Sequence, residues 1–261
     1  MISYVNRNTS IIKVPVILLM AVVLSLNVSC KKMLDLDSNR LANEEGHWTT
    51  LQDTRSGLMA SYGLMRAAMA ENNAHWLWGD VRNGDFTATS KSELKTIVSG
   101  NLNASFPLLQ DVTNWRKFYA VINNSSLLIE RAAEVLAVDK RYTEPNYKVD
   151  VAQARALRAF AYFYMVRIWG DVPLITSSHD GSFDMKPVTD QAKVLAYAES
   201  ELLAAAKDLP YVYGADMDEI LPGAYYGYNQ ERWRGALFTK ISAYAVLAHI
   251  AAWQGHYIDA A

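Results

Sequence analysis

One cysteine, 7 prolines, 13 glycines and no marked excess of either charge among 261 residues remove several explanations before any motif is read. A lone cysteine neither closes an intramolecular disulfide nor builds a thiolate metal cage. Few glycines and prolines, beside 51% hydrophobic and 20% charged residues, exclude a collagen-like rod, a low-complexity linker and a disordered tail. A formal charge of -2 lacks the positive field that neutralises phosphates, so nucleic acid is not an expected partner. There is no Gly-rich phosphate loop and no serine nucleophile elbow. His249 and His256 have no carboxylate between them to complete a zinc motif, and His47, His75 and His179 stand alone. No metal and no cofactor are expected. What is present is a globular chain long enough to bury one large core or two modest ones without staples.

The only long apolar run is short for a membrane span. After Arg7 and Lys13, the uncharged stretch Val14 to Leu26 gives about 20 Å of helix at ~1.5 Å per residue, against a hydrocarbon core of ~30 Å. It reads as a signal peptide over residues 1–29, removed on export. Ser29 stands directly before Cys30, with Leu26 and Val28 nearby, and this resembles a bacterial lipobox. The resemblance implies diacylglycerol on the Cys30 sulfur, cleavage before it and acylation of the new amino group. Several acyl chains on one residue suffice for stable anchoring, since each buried methylene contributes ~0.8 kcal/mol. Loss of Arg7 and Lys13 takes the charge from -2 to -4. Residues 30–42 read as a polar lipidated tether, and residues 43–261 as the domain.

Beyond Glu44, apolar residues recur every three or four positions and no period-two alternation is sustained, so the fold class is all-α. A first helix is expected over Glu44–Ala70, with Leu51, Leu58, Met59, Tyr62 and Met65 on one face and Gly57 and Gly63 weakening it; Glu44 and Glu45 suit its N-terminal dipole. A polar, aromatic loop follows from Asn73 to Phe106. A second helix runs from about Thr113 to Val138. Asn123, Asn124, Ser125 and Ser126 interrupt it, either as a kink or by hydrogen-bonding inside the packed interior. The third carries the stripe Val151, Ala154, Leu157, Ala161, Tyr164, Ile168 and stops at Gly170 and Pro173. A fourth opens after Thr189 or Asp190 and reaches Pro210, and a fifth spans about Arg234 to Trp253 with the stripe Ile241, Ala245, Ala248, Ala252. Gly255, Tyr257 and Ala260 resemble the turn and second-helix start of a tetratricopeptide repeat. The chain ends inside that element, as the N-terminal part of a longer protein would.

The stretch Gln153 to Leu174, containing Arg155, Arg158, Phe160, Tyr162, Tyr164, Arg167, Trp169, Gly170, Asp171 and Pro173, resembles the most recognisable segment of the SusD/RagB family. Three further blocks fall in the family's order: Trp115 to Ile129, Tyr197 to Pro210 and Thr239 to Tyr257. The resemblance implies a largely helical SusD-like fold with tetratricopeptide-like helix pairs and long irregular loops. It also implies an outer-membrane, surface-facing lipoprotein that is not an enzyme. Such a protein captures a nutrient, usually a glycan, for a SusC-type TonB-dependent transporter. Family members run to about twice this length, and the missing part contributes much of the binding face. A helical-repeat scaffold lipoprotein that binds envelope proteins is the alternative.

Within the predicted loop, Trp76, Trp78, Asp80, Arg82, Asn83 and Asp85 form the candidate ligand site. Sugars offer apolar C–H faces and polar hydroxyl edges, so aromatic platforms beside Asp, Asn and Arg match them. Either tryptophan can instead cover the first helix. Asp80 and Asp85 alone would support a glycoside hydrolase pair. Arg155, Arg158, Arg167 and Asp171 suit either an anion site or, on the stronger reading, the anchoring of helix ends and loops.

Overall fold

The computed structural model describes residues 47–178 and 185–261; the signal peptide, Cys30, the tether, Glu44, Glu45 and His179 lie outside the described residues. The described chain is built of helices. Helix α1 (Leu51–Ala70) opens on a capping box: Thr50 accepts from the Asp53 amide and Asp53 accepts from the Thr50 amide. The helix behind this cap starts at Leu51; the expected start at Glu44 lies outside the described residues. Met59, expected on its inner face, is 36% exposed, and Thr54, Gly57 and Ser61 are buried instead. The small residues have a purpose. A Cβ at Gly57 would lie 3.0 Å from Cη2 of Trp48, so glycine lets that indole close over the helix.

The segment expected to be a loop is partly helical. A 3₁₀ turn (Glu71–Asn73), α2 (Ala74–Trp78), a second 3₁₀ turn (Asp80–Arg82), α3 (Ser92–Val98) and α4 (Pro107–Val112) enclose a small core of Ala74, Leu77, Val81, Ile97, Leu109 and Val112. These pieces are too short to show a full amphipathic period, which is why the sequence reads as loop.

Helix α5 (Arg116–Val138) is continuous. Asn124 donates to the Gly57 carbonyl at 2.8 Å and to Ser61 Oγ at 2.7 Å, and Ser125 reaches Ser61 at 3.3 Å. The polar run is thus the seam between α1 and α5, not a kink. Helix α6 (Glu144–Trp169), capped by Thr143, lies at the centre. Its buried residues go well beyond one stripe, including Asp150, Gln153, Arg158, Tyr162 and Met165, because α1, α5 and α7 (Gln191–Asp208) all pack on it.

The chain leaves α6 through Gly170, at φ 72°, and its extended exit is fully tied down. The Val172 carbonyl accepts from the Thr189 amide at 3.0 Å, and Tyr119 donates to the Pro173 carbonyl at 2.6 Å. Tyr162 both donates to the Ile175 carbonyl and accepts its amide, at 2.7 and 2.8 Å. Asp171 Oδ1 accepts the Gln191 amide at 2.9 Å, and Asp190 caps α7. Arg158, 5% exposed, donates to Glu201 at 2.5 Å, Ser126 at 2.9 Å and the Thr176 carbonyl at 3.0 Å. Arg167 stacks on Phe163, Tyr164 and Trp253. Arg155 adds a longer contact to Glu201 at 3.5 Å, so each member of the arginine group holds helices or the exit in place.

The region between α7 and the final long helix is irregular, with α8 (Gln230–Trp233) and a third core of Val149, Tyr213, Leu221, Tyr225, Trp233 and Leu237. Helix α9 spans Lys240–Trp253, not Arg234–Trp253. Gly235 takes φ 69°, Tyr62 holds the Phe238 amide at 2.7 Å, and Thr239 forms a capping box with Ser242. The inner face of α9 also differs from the expected stripe. Ala243, Val246, Ile250 and Ala251 are buried, while Ile241 is 63% exposed and Ala245 is exposed. A helix apolar nearly all round carries no signal for which side faces in. The turn at Gly255, φ 82°, leads into α10 (Tyr257–Ala260). None of the described helices is long and apolar enough to cross a membrane.

Candidate functional site

Asn72 and Asn73 are both left-handed, at φ 54° and 55°, a conformation that asparagine tolerates better than most residues. They reverse the chain between α1 and α2. The reversal is pinned: Asn72 donates to Asp111 at 2.6 Å, and Lys117 pairs with Asp111 at 2.9 Å and Glu71 at 3.1 Å. The Lys117 contact, joined by Asn72, holds the Asp111 carboxyl below the usual carboxylate range despite partial burial. Helix α2 then places Trp76 over a cleft of about 480 Å³ lined by Asn72, Asn73, Trp76, Leu77, Lys91, Glu93, Leu94, Pro107 and Leu108.

Trp76 and Trp78 part company here. Two residues on a helix differ by roughly 200° in direction. Trp76 is 39% exposed, with its edge against Phe86 at 5.4 Å between centroids. Trp78 turns inward, donates to the Val112 carbonyl at 2.7 Å and meets Phe118 and Trp169 at 5.6 and 5.9 Å.

The remaining candidates sit on the turn beyond. Asp80 and Arg82 are exposed on the second 3₁₀ turn, whose bonds are backbone to backbone. Asn83 Oδ1 accepts the Asp85 amide at 3.0 Å, a local turn closed by Gly84 at φ 99°. None of these four lines the cleft. Asn72, Asn73, Lys91, Glu93, Leu94, Pro107 and Leu108 do, and sequence reasoning missed them. The one available signal was the Asn-Asn pair, since consecutive asparagines favour a reversal; the other wall comes from further along the chain, at Lys91 to Leu94 and at Pro107 and Leu108.

A second polar centre lies at the other end of α6. Asp150 is fully buried and accepts from Tyr142 at 3.0 Å and, more closely, from Tyr225 and Tyr226. Burial pushes its carboxyl up to about 6, against the pull of the three hydroxyls. Gln153 bridges Tyr225 at 2.9 Å to Tyr62 at 3.0 Å. Tyr226 occupies φ 48° in the Tyr225–Tyr228 turn, where the two end residues exchange backbone bonds of 3.1 Å. A left-handed tyrosine costs roughly 1–2 kcal/mol, which the Asp150 bond offsets.

No protein-family model matches the chain. Among curated proteins, SusD-like protein P38 of Formosa agariphila is 30% identical over 195 residues, which cover 73% of this chain and 37% of that protein. A crystal structure of a SusD superfamily protein from Bacteroides thetaiotaomicron is 55% identical, with a TM-score of 0.77 over 82% of this chain and 46% of that one. Over this span the chain belongs to the SusD-like family. A laminarin-binding SusD-like protein shares the fold at 22% identity, with a TM-score of 0.62 over 81% of this chain and 42% of its own. The SusD-like chain thus spans under half the length of these relatives. Its helical fold is that of the superfamily.

Proposed function

We propose that this SusD-like chain is part of a surface lipoprotein that binds nutrient glycans without cleaving them. It passes them to a SusC-type TonB-dependent transporter, with Cys30 carrying the lipid that holds it to the outer membrane. The carrying observation is Trp76. Its exposed indole sits at the rim of a cleft whose wall supplies Asn72, Asn73, Lys91 and Glu93, an apolar platform beside hydrogen-bonding groups. Asp80, Arg82, Asn83 and Asp85, on the adjoining turn, extend the polar rim toward a longer saccharide. Trp78 supports the site from inside by fixing α2 against α4 and α5. Laminarin binding by a protein of the same fold supports a glycan as the ligand class.

Replacing Trp76 tests this. Trp76→Ala should weaken oligosaccharide binding about tenfold or more in titration calorimetry, and Trp76→Phe should retain part of it, since a ring face remains. Equal affinity of Trp76→Ala and the parent chain would place the glycan elsewhere.

A further inference from the structure

The Tyr225–Tyr228 turn carries features that its role as a buried anchor does not use. Arg55, on α1, lies over the Tyr226 and Tyr228 rings at 5.3 and 5.6 Å, and Arg232, on α8, lies over Tyr228 at 5.5 Å. Among the described residues neither guanidinium is paired with a carboxylate; Glu231, adjacent to Arg232, makes no ion pair either. Elsewhere Arg131, Arg141, Arg155 and Arg158 have acidic partners while Arg66, Arg82, Arg116, Arg167 and Arg234 have none among the described residues, so what sets Arg55 and Arg232 apart is that both lie over one exposed tyrosine ring. Tyr228 is 42% exposed, and Tyr226 is held left-handed at a position where Gly or Asn would be free of strain. Two unpaired cations are therefore fixed on one exposed aromatic edge, in a chain whose overall charge is negative.

Such an arrangement suits a ligand anion. Stacking on the rings pre-orders the guanidinium forks, so little side-chain freedom is lost when a planar or tetrahedral oxyanion is gripped. Tyr228, 42% exposed, adds a ring edge and a hydroxyl that can donate to or accept from a sugar hydroxyl. We propose that Arg55 and Arg232, both lying over Tyr228, form a second glycan subsite that takes an acidic sugar, through a carboxylate or a sulfate ester. This rests on the glycan-binding reading above and names a chemical class of glycan for it.

The test titrates the full chain with a neutral β-glucan hexasaccharide, a hexagalacturonate and a sulfated galactan hexasaccharide. The parent and Arg55→Gln/Arg232→Gln chains are compared, with near-ultraviolet circular dichroism to confirm the fold. The acidic-to-neutral affinity ratio should fall at least about tenfold in the double variant, as expected for loss of charge-assisted hydrogen bonds. Added salt should weaken binding of the acidic ligands in the parent chain alone. Whichever acidic ligand shows the loss identifies the anion as carboxylate or sulfate. Arg232→Gln alone, the more exposed of the two arginines, serves as a second, milder variant should the double change disturb folding, with a smaller fall in the same ratio. An unchanged ratio overturns the proposal, and so does neutral binding without acidic binding, which leaves the glycan reading standing. Binding of none of the three also overturns it, and the glycan reading then rests on a wider array of oligosaccharides.

Discussion

Arg158→Ala should lower the free energy of unfolding by about 3–5 kcal/mol, the range for removing one partner of a buried ion pair. Its guanidinium is the junction of four parts of the fold: α6 carries it, α7 supplies Glu201, α5 supplies Ser126, and the extended exit segment supplies the Thr176 carbonyl. Removing it leaves the Glu201 carboxylate, itself 8% exposed, with only Arg155 at 3.5 Å and frees the exit segment from the helices. Against a typical total of roughly 5–15 kcal/mol, that is a large fraction. Denaturant unfolding followed by circular dichroism reads the loss directly. The double change Arg158→Met/Glu201→Leu should be much milder, because it leaves no orphaned charge in the interior. Equal damage from the single and double variants would mean that the residues matter for their shape and not for their charge.

The second large effect depends on pH. Burial raises Asp150 to about 6 in the folded chain, against roughly 3.9 when unfolded. Between these values the folded state holds a proton that the unfolded state has released, so stability falls as pH rises from about 4 to about 6 and is level above. The difference of about 2 units corresponds to roughly 3 kcal/mol at 1.36 kcal/mol per unit. Carboxylates shifted the other way act lower on the scale. Asp218, for example, is raised by burial but held down more strongly by four backbone amides, and its contribution is lost only below pH 4. Asp150→Asn should therefore flatten the slope between pH 4 and 6 in urea titrations. Persistence of the slope in that variant would assign it to another group.

The all-helical class and the ends of α6 and α7 were legible because long elements repeat their period many times and stop at Gly170 or Pro210. The exit from α6 was legible as an extended segment for the same reason. The short helices around Trp76 were not, since three to seven residues hold too little of a period to distinguish helix from turn. The inner face of α9 was hidden by its even apolarity, and the start of α9 by tertiary bonds from Tyr62 to Phe238 that no local pattern encodes. The candidate site was half visible. Aromatic and polar residues drew attention to the segment that carries one wall of the cleft, but the sequence could not separate Trp76 from Trp78 without knowing which side of α2 faced the core. The opposite wall, from Lys91 to Leu108, is brought there by packing against Ile97 and Leu109, a long-range matter. The Asp150 centre escaped notice because its tyrosines come from positions 142, 225 and 226, joined only in the fold.

This region is expected to grip a glycan and leave it intact. The full chain should be incubated with an array of oligosaccharides, the retained ligands titrated to saturation, and the recovered sugars sized by mass spectrometry. The account predicts saturable binding of at least one oligosaccharide, recovered at its original length. Steady appearance of shorter sugars, or no saturable binding to any glycan, would contradict it.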